Sequence, residues 1–363
     1  MKTTIKLRSP GVSVHTVELS RTFACQSELD ELCRKIEKYY PIRRAKDNRW
    51  EVHGMDDCGI RMSLLPESQG DACVFIVVNL QKLIADDYCP ADIIPAEKEL
   101  LREAWKCLER RLKAIGLTVD ECKLTRVDIC GNLTSKEKNF VREYLRLMRK
   151  RRNRGWMERK PFWDRRLSLK ENRQCDRDYY RVSQKGESLV FYDKRKQAER
   201  LGLKGWKQVP RGLLRIEWQL ERKTLKAIEG RTGLERRKLV FFLAQHGGEL
   251  LAGKLRKTYW SGMYLKAEAL MSVIEESAYQ DGLKELMKWY VKKAKKWGED
   301  KAAKKLLARE EWSVEEYGRF RSRFEKLNIQ PVPLRKNFCV DELEPPEVCL
   351  VRLLEEDAAG GIF

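Results

Sequence analysis

Short alternating or continuous apolar runs occupy the first two thirds of the chain, and apolar positions spaced three or four apart dominate the last third. Residues 51–53 and 60–64 alternate, and Gly54, Asp56, Asp57 and Gly59 between them are turn residues, so a strand pair is predicted. Residues 72–78 form a continuous apolar run rich in β-branched side chains, the pattern of a buried central strand. After Pro90 and Pro95, the positions Leu100, Leu101, Ala104, Leu108, Leu112 and Ile115 have helical spacing, and Gly116 is a stop. Residues 124–130 read as the next strand. Thr134 or Ser135 can cap a following helix that runs to about residue 152, with Phe140, Val141, Tyr144, Leu145 and Met148 on one face.

Residues 149–177 have no clear period and read as a loop or mobile arm. Residues 180–183 and 188–192 flank Gln184-Lys-Gly-Glu187 as a hairpin. A short basic helix (194–201) and a strand (213–220) follow. Beyond Glu221 the spacing is helical at 236–243, 250–257, 267–277, 283–297 and 314–327. The predicted class is α+β: a largely antiparallel sheet with flanking helices, then an all-helical region. The predicted organisation is 1–232 for the α+β unit with a basic arm at about 149–178, 233–335 for the helices, and 336–363 for an acidic tail.

Composition narrows the functional classes. With 42% hydrophobic and 9% aromatic residues, wholesale disorder is excluded. No run of 18 apolar residues exists, so no membrane span is expected, and the first residues lack a signal-peptide pattern. The 11 cysteines include no C-x-x-C pair, which points to reduced thiols in a cytoplasmic protein. Three dispersed histidines (His15, His53, His246) argue against a histidine-cluster metal site. The net charge of +20 is local: residues 142–181 hold 15 Lys and Arg against 6 Asp and Glu, whereas residues 339–363 hold seven carboxylates and one arginine. The arm residues Arg149, Lys150, Arg151, Arg152, Arg154, Trp156, Arg159, Lys160, Arg165 and Arg166 are therefore the expected nucleic-acid contacts. Guanidinium groups neutralise phosphates, and aromatic faces stack on unpaired bases at about 1–3 kcal/mol each.

Period two places Arg126 and Asp128 on one face of strand 124–130, and Arg215 and Glu217 on one face of strand 213–220. Val190 and Tyr192 share a face of strand 188–192, which Lys194 would continue. Two readings are open. Arg126 with Glu217, and Arg215 with Asp128, may be cross-strand ion pairs, with Tyr192 an ordinary cross-strand aromatic. Alternatively, mid-strand carboxylates whose desolvation needs a partner hold a divalent metal beside Tyr192, a potential nucleophile on a phosphodiester. Tyr179 and Tyr180 are competing tyrosines that read better as stacking or packing residues.

The ordered series 124–128 (LTRVD), 188–194 (SLVFYDK) and 212–217 (GLLRIE) resembles the replication initiators of filamentous phages and the related rolling-circle initiators of phages and plasmids in Gram-positive bacteria. The resemblance spans roughly residues 70–235. It implies a site-specific DNA nickase and strand-transferase in a bacterial host cytoplasm, acting through a 5′-phosphotyrosyl intermediate at a double-stranded origin and on single-stranded DNA, with host helicase or polymerase as further partners. Tyr192 matches the nucleophile, Lys194 the lysine of the Tyr-x-Lys element, and Asp128 and Glu217 the acids near a Mg²⁺ or Mn²⁺ ion. Arg126 and Arg215 would hold carboxylates or phosphate. Asp193, Glu51 and Asn79 are unranked candidates for a third metal ligand. A conjugative relaxase of similar fold and a non-catalytic DNA-binding protein are the alternatives.

Overall fold

The computed structural model describes residues 11–45, 49–69, 71–85, 87–137, 139–155, 157–163 and 167–360, with backbone alone for 69 and 356–360. Ten strands form one sheet: β1 Val12–Thr22, β2 Ile42–Arg44, β3 Trp50–Val52, β4 Ile60–Leu65, β5 Cys73–Asn79, β6 Lys123–Thr134, β7 Glu158–Lys160, β8 Tyr179–Gln184, β9 Glu187–Asp193 and β10 Leu213–Glu221. Their order is β2-β3-β4-β5-β1-β6-β10-β9-β8-β7, and every neighbouring pair is antiparallel. The first helices are α1 Gln26–Glu37, α2 Leu80–Ile84, α3 Lys98–Ala114, α4 Phe140–Lys150, α5 Leu169–Asp176, α6 Lys194–Arg200 and α7 Arg222–Thr232. They are followed by α8 Arg236–Gln245, α9 Gly247–Thr258, α10 Ala267–Glu275, α11 Asp281–Trp297, α12 Glu299–Glu310, α13 Val314–Lys326 and α14 Pro346–Gly360. The class is α+β, with a large antiparallel sheet, flanking helices and a helical C-terminal region.

Strand parity gives the central sheet two unlike faces. Val127, Ile129 and Leu133 of β6, Leu214 and Ile216 of β10, and Leu189 and Phe191 of β9 are fully buried on one side. This side joins a continuous apolar core with Leu239, Leu251, Tyr290, Phe324 and Leu350 of the helical region, so the core runs across residue 232. Gly131 of β6 marks the closest approach: a Cβ there would meet Leu350, Val12 and Leu251 at 3.1–3.4 Å, and only glycine lets β1, α9 and α14 converge on the strand.

The central strand β1 was hidden from a strict period-two reading. Val12 and Val14 bury one parity, and Val17 and Leu19 bury the other. A β-bulge explains the switch: Val14 pairs with Ile129 and Thr16 with Asp128, leaving His15 as the extra residue. In α12 the buried positions are mainly small (Ala302, Ala303, Leu306), which weakens its apolar stripe.

Two segments differ from expectation. The aperiodic arm contains β7 and α5, the latter opened by a Ser168–Glu171 capping box. The expected acidic tail includes α14, whose Cys349, Leu350 and Leu353 are buried. Glu347 of this helix is itself buried and accepts a 2.8 Å bond from Arg151, whose side chain is fully enclosed. The Arg151 guanidinium lies 4.6 Å from the Tyr259 ring centroid. A buried charge stripped of its partner costs about 3–5 kcal/mol, whereas apolar replacement of both partners is far milder. Arg151→Met should therefore lower the urea unfolding midpoint by that equivalent, and Arg151→Met/Glu347→Leu should recover most of the loss.

Candidate active site on the polar face of the sheet

The second face of the same strands carries the polar positions. Register sets Glu217 of β10 opposite Cys130 of β6, Gln219 opposite Asp128, and Arg215 opposite both Asn132 and Tyr192. Tyr179 of β8 lies opposite Tyr192 of β9. His15, Thr16, Glu18, Arg61, Arg126, Asp128, Phe162, Tyr179, Tyr192, Lys194, Arg200 and Glu217 line a cleft of about 290 Å³ on this face. Its size is near the lower bound for small-ligand sites.

Tyr192 is buried, and its hydroxyl donates to Glu217 Oε1. Burial, reinforced by the Glu217 charge, holds the phenol pKa well above its ordinary value. Glu217 Oε2 also accepts from Gln219 Nε2 at 3.2 Å. Asp193 ends β9 and caps α6, its carboxylate accepting from the Lys196 amide at 3.1 Å. The Tyr-Asp-Lys element is thus a strand end, a cap and the first helical residue, which turns Lys194 back to the cleft. The Lys194 ammonium is buried, lies 5.8 Å from the Tyr192 ring centroid and donates to Gln197 Oε1 at 3.0 Å. Burial, with Arg215 adding repulsion, brings its pKa down to about 7.

Arg126 and Asp128 form a bidentate pair along one strand at 2.7 and 2.6 Å, not the cross-strand pairs considered from sequence. Burial pushes the Asp128 carboxyl up to about 6 even with Arg126 beside it. Arg215 departs further from expectation. It is fully buried behind the cleft lining, donating to Asn132 Oδ1 at 2.9 Å and to the Ala91 carbonyl. Its charge reaches Tyr192 and Glu217 through the protein rather than by contact with a phosphate. Tyr179 stacks near Tyr192, with centroids 6.4 Å apart at 29°, and meets Phe162 edge-on at 5.2 Å. Tyr180 points to the opposite face and packs beside Phe191.

The candidate metal donors do not assemble as the carboxylate set requires. Both Asp128 oxygens are bound by Arg126, and both Glu217 oxygens accept protein hydrogen bonds. Asp193 is committed to its cap, Glu51 is exposed on β3, and Asn79 caps α2 while donating to Tyr88. The donors that do converge were missed from sequence: His15, Cys130 and Glu217 place ligand atoms within 4.8 Å of one another. Cys130 was legible as the next same-parity residue after Asp128, whereas His15 depends on the β1 bulge. Imidazole and thiol suit softer ions than Mg²⁺. Burial holds the thiol protonated, and His15 already contacts Thr16 and Asn79. The arrangement therefore does not fit a resident Mg²⁺ or Mn²⁺ ion.

The arm residues expected to meet DNA are largely engaged within the protein. Arg149 donates to the carbonyls of Asp176 and Tyr179 at 2.7 and 3.1 Å, and Lys150 to that of Lys295. Arg151 is sealed with Glu347, so it cannot reach a phosphate. Arg152 lies 5.0 Å from the Tyr317 centroid and its amide donates to Glu299, while Arg154 pairs with Glu325. Arg159 and Lys160 are exposed on the edge strand, pairing with Asp176 and Glu158. Trp156, Arg165 and Arg166 lie outside the described residues. The cations that do reach the cleft are Arg61, Arg126, Lys194 and Arg200, and Arg200 lies 4.6 Å from the Phe162 centroid.

No protein-family model matches the chain, and no curated protein matches it significantly. No helix among the described residues is long and apolar enough to cross a membrane.

Lys194 provides a direct check on the buried site. Its pKa is about 7 when folded against an ordinary 10.5, so between these values the unfolded chain holds the extra proton. Stability contributed by this group is therefore present above the higher value and lost as pH falls through the lower. Urea midpoints measured at about pH 7 and about pH 9 should rise more for the wild type than for Lys194→Met, which lacks the titrating group.

Proposed function

We propose that the chain is a tyrosine DNA nickase and strand-transferase of the kind that initiates rolling-circle replication, with Tyr192 as its nucleophile. The observation that carries this reading is the Tyr192–Glu217 hydrogen bond inside a cleft that also holds Lys194 and Arg126. A phenol held well above its ordinary pKa needs a base positioned at its proton, and geometry precedes pKa in identifying one. Glu217 Oε1 is that base.

The reaction balances with groups in the cleft. The Tyr192 oxygen attacks a phosphodiester phosphorus, and its proton passes to Glu217. A tyrosine–phosphorus bond forms, the bond from phosphorus to the 3′ oxygen breaks, and Lys194 supplies the proton that makes the leaving group a 3′-hydroxyl. A pKa near 7 suits an acid of this kind at neutral pH. Arg126 faces the charge that builds on the phosphoryl oxygens, an interaction strengthened by the partly dry surroundings. Strand transfer is the reverse attack by a 3′-hydroxyl on the phosphotyrosine. Phe162 and Tyr179 at the rim offer ring faces and edges to unpaired bases, consistent with a single-stranded substrate.

The test uses 3′-labelled single strands from the DNA molecule that encodes the chain, incubated with full-length protein and divalent cations. The wild type should retain the label through denaturing electrophoresis, Tyr192→Phe should lose it, and Tyr179→Phe should keep it. An adduct that maps to Tyr179, or no adduct with any strand, overturns the assignment. Glu217→Gln should slow adduct formation by about 10²–10⁴-fold, the range for loss of a general base.

A further inference from the structure

With the arm's charges consumed internally, the free positive charge lies elsewhere. Helices α11 and α12 reverse tightly through Gly298, whose φ of +88° favours glycine. Lys292, Lys295, Lys296, Lys301, Lys304 and Lys305 are exposed on this hairpin, and Lys293 is half-buried. None of them appears among the ion pairs of the described residues, in contrast to Lys284 and Lys288 nearer the start of α11. The acids within the stretch do not compensate them: Glu299 is buried with Arg321, and Asp300 sits 4.0 Å from Arg152.

Two half-buried tryptophans organise the cations. Lys293, Lys296 and Lys305 lie 5.1, 5.2 and 4.4 Å from the Trp297 ring, and Lys293 and Arg309 lie 5.4 and 5.0 Å from Trp289. Such contacts hold flexible ammonium groups in place without neutralising them. Like charges three and four residues apart, as at Lys292, Lys295 and Lys296, or Lys301, Lys304 and Lys305, destabilise a helix unless a polyanion offsets them.

We infer that the α11–α12 hairpin is a phosphate-binding surface that anchors duplex DNA outside the cleft, independently of sequence. The choice of a duplex as occupant rests on the nickase reading. An anionic membrane is the less favoured occupant because the fully exposed large apolar residues among those described lie elsewhere, at Tyr39, Trp163, Leu169, Leu201, Val314 and Val348. The hairpin also adjoins the start of the arm, since Lys150 donates to the Lys295 carbonyl and Arg152 faces Asp300.

The test compares full-length wild type with Lys292→Gln/Lys296→Gln/Lys304→Gln/Lys305→Gln, all exposed positions, after matched melting curves confirm folding. Binding to a labelled random-sequence duplex is measured across a salt series. The variant should shallow the slope of log K against log salt by about 3, from about 0.7–0.9 per lost phosphate contact. An unchanged slope, or no duplex binding by the wild type, overturns the hairpin as anchor. So does a loss confined to phosphatidylserine vesicles with duplex affinity intact. The Tyr192-dependent adduct on single strands is scored in the same preparations: its absence with a normal slope change rejects the nickase reading alone, and its presence with no slope change rejects the hairpin alone.

Discussion

The architecture depends on the parity of four adjacent strands, β1, β6, β10 and β9. Because their apolar positions are sealed against helices on one side, every alternate residue is forced onto a second face where charges sit with little water. Such groups persist only if they compensate one another. Arg126 holds Asp128, Tyr192 is bound to Glu217, and Arg215 is divided between Asn132 and the Ala91 carbonyl. The same dryness that makes these partnerships obligatory also shifts Asp128 and Lys194 toward neutral pH. Fold and candidate chemistry are two readings of one alternating pattern.

That pattern was largely legible where strands are regular. The same-face placement of Arg126 with Asp128, and of Arg215 with Glu217, follows from period two alone, and so does the α+β class. What escaped depends on departures from regularity or on distant contacts. The β1 bulge reverses parity at His15 and hides both the strand and its histidine. Arg215 was misplaced because its acceptor, the Ala91 carbonyl, lies 124 residues away in a loop that no local pattern connects to it. The short, polar α5 is stabilised by its cap rather than by an apolar stripe.

Charge density in sequence proved a poor guide to free charge in space. The basic arm is rich in arginine, but guanidinium groups have several directed donors and are readily consumed by carbonyls, carboxylates and ring faces. The α11–α12 lysines, which sequence alone could read as a solvated helix face, retain uncompensated ammonium groups because their neighbouring acids are spent on Arg321 and Arg152. Locating a polyanion surface therefore requires subtracting the internal pairs first.

The position of α14 has a consequence for biogenesis. Leu350 fills the space left by Gly131 on a central strand, and Glu347 is the buried counter-charge of Arg151. During vectorial synthesis on a ribosome, the sheet and the arm emerge long before this helix does. Until the last segment is released, the strand is uncovered at Gly131 and the arginine lacks its carboxylate. The nascent chain thus completes its core only at the end of translation, with its final helix serving as the closing piece of a structure begun near residue 12.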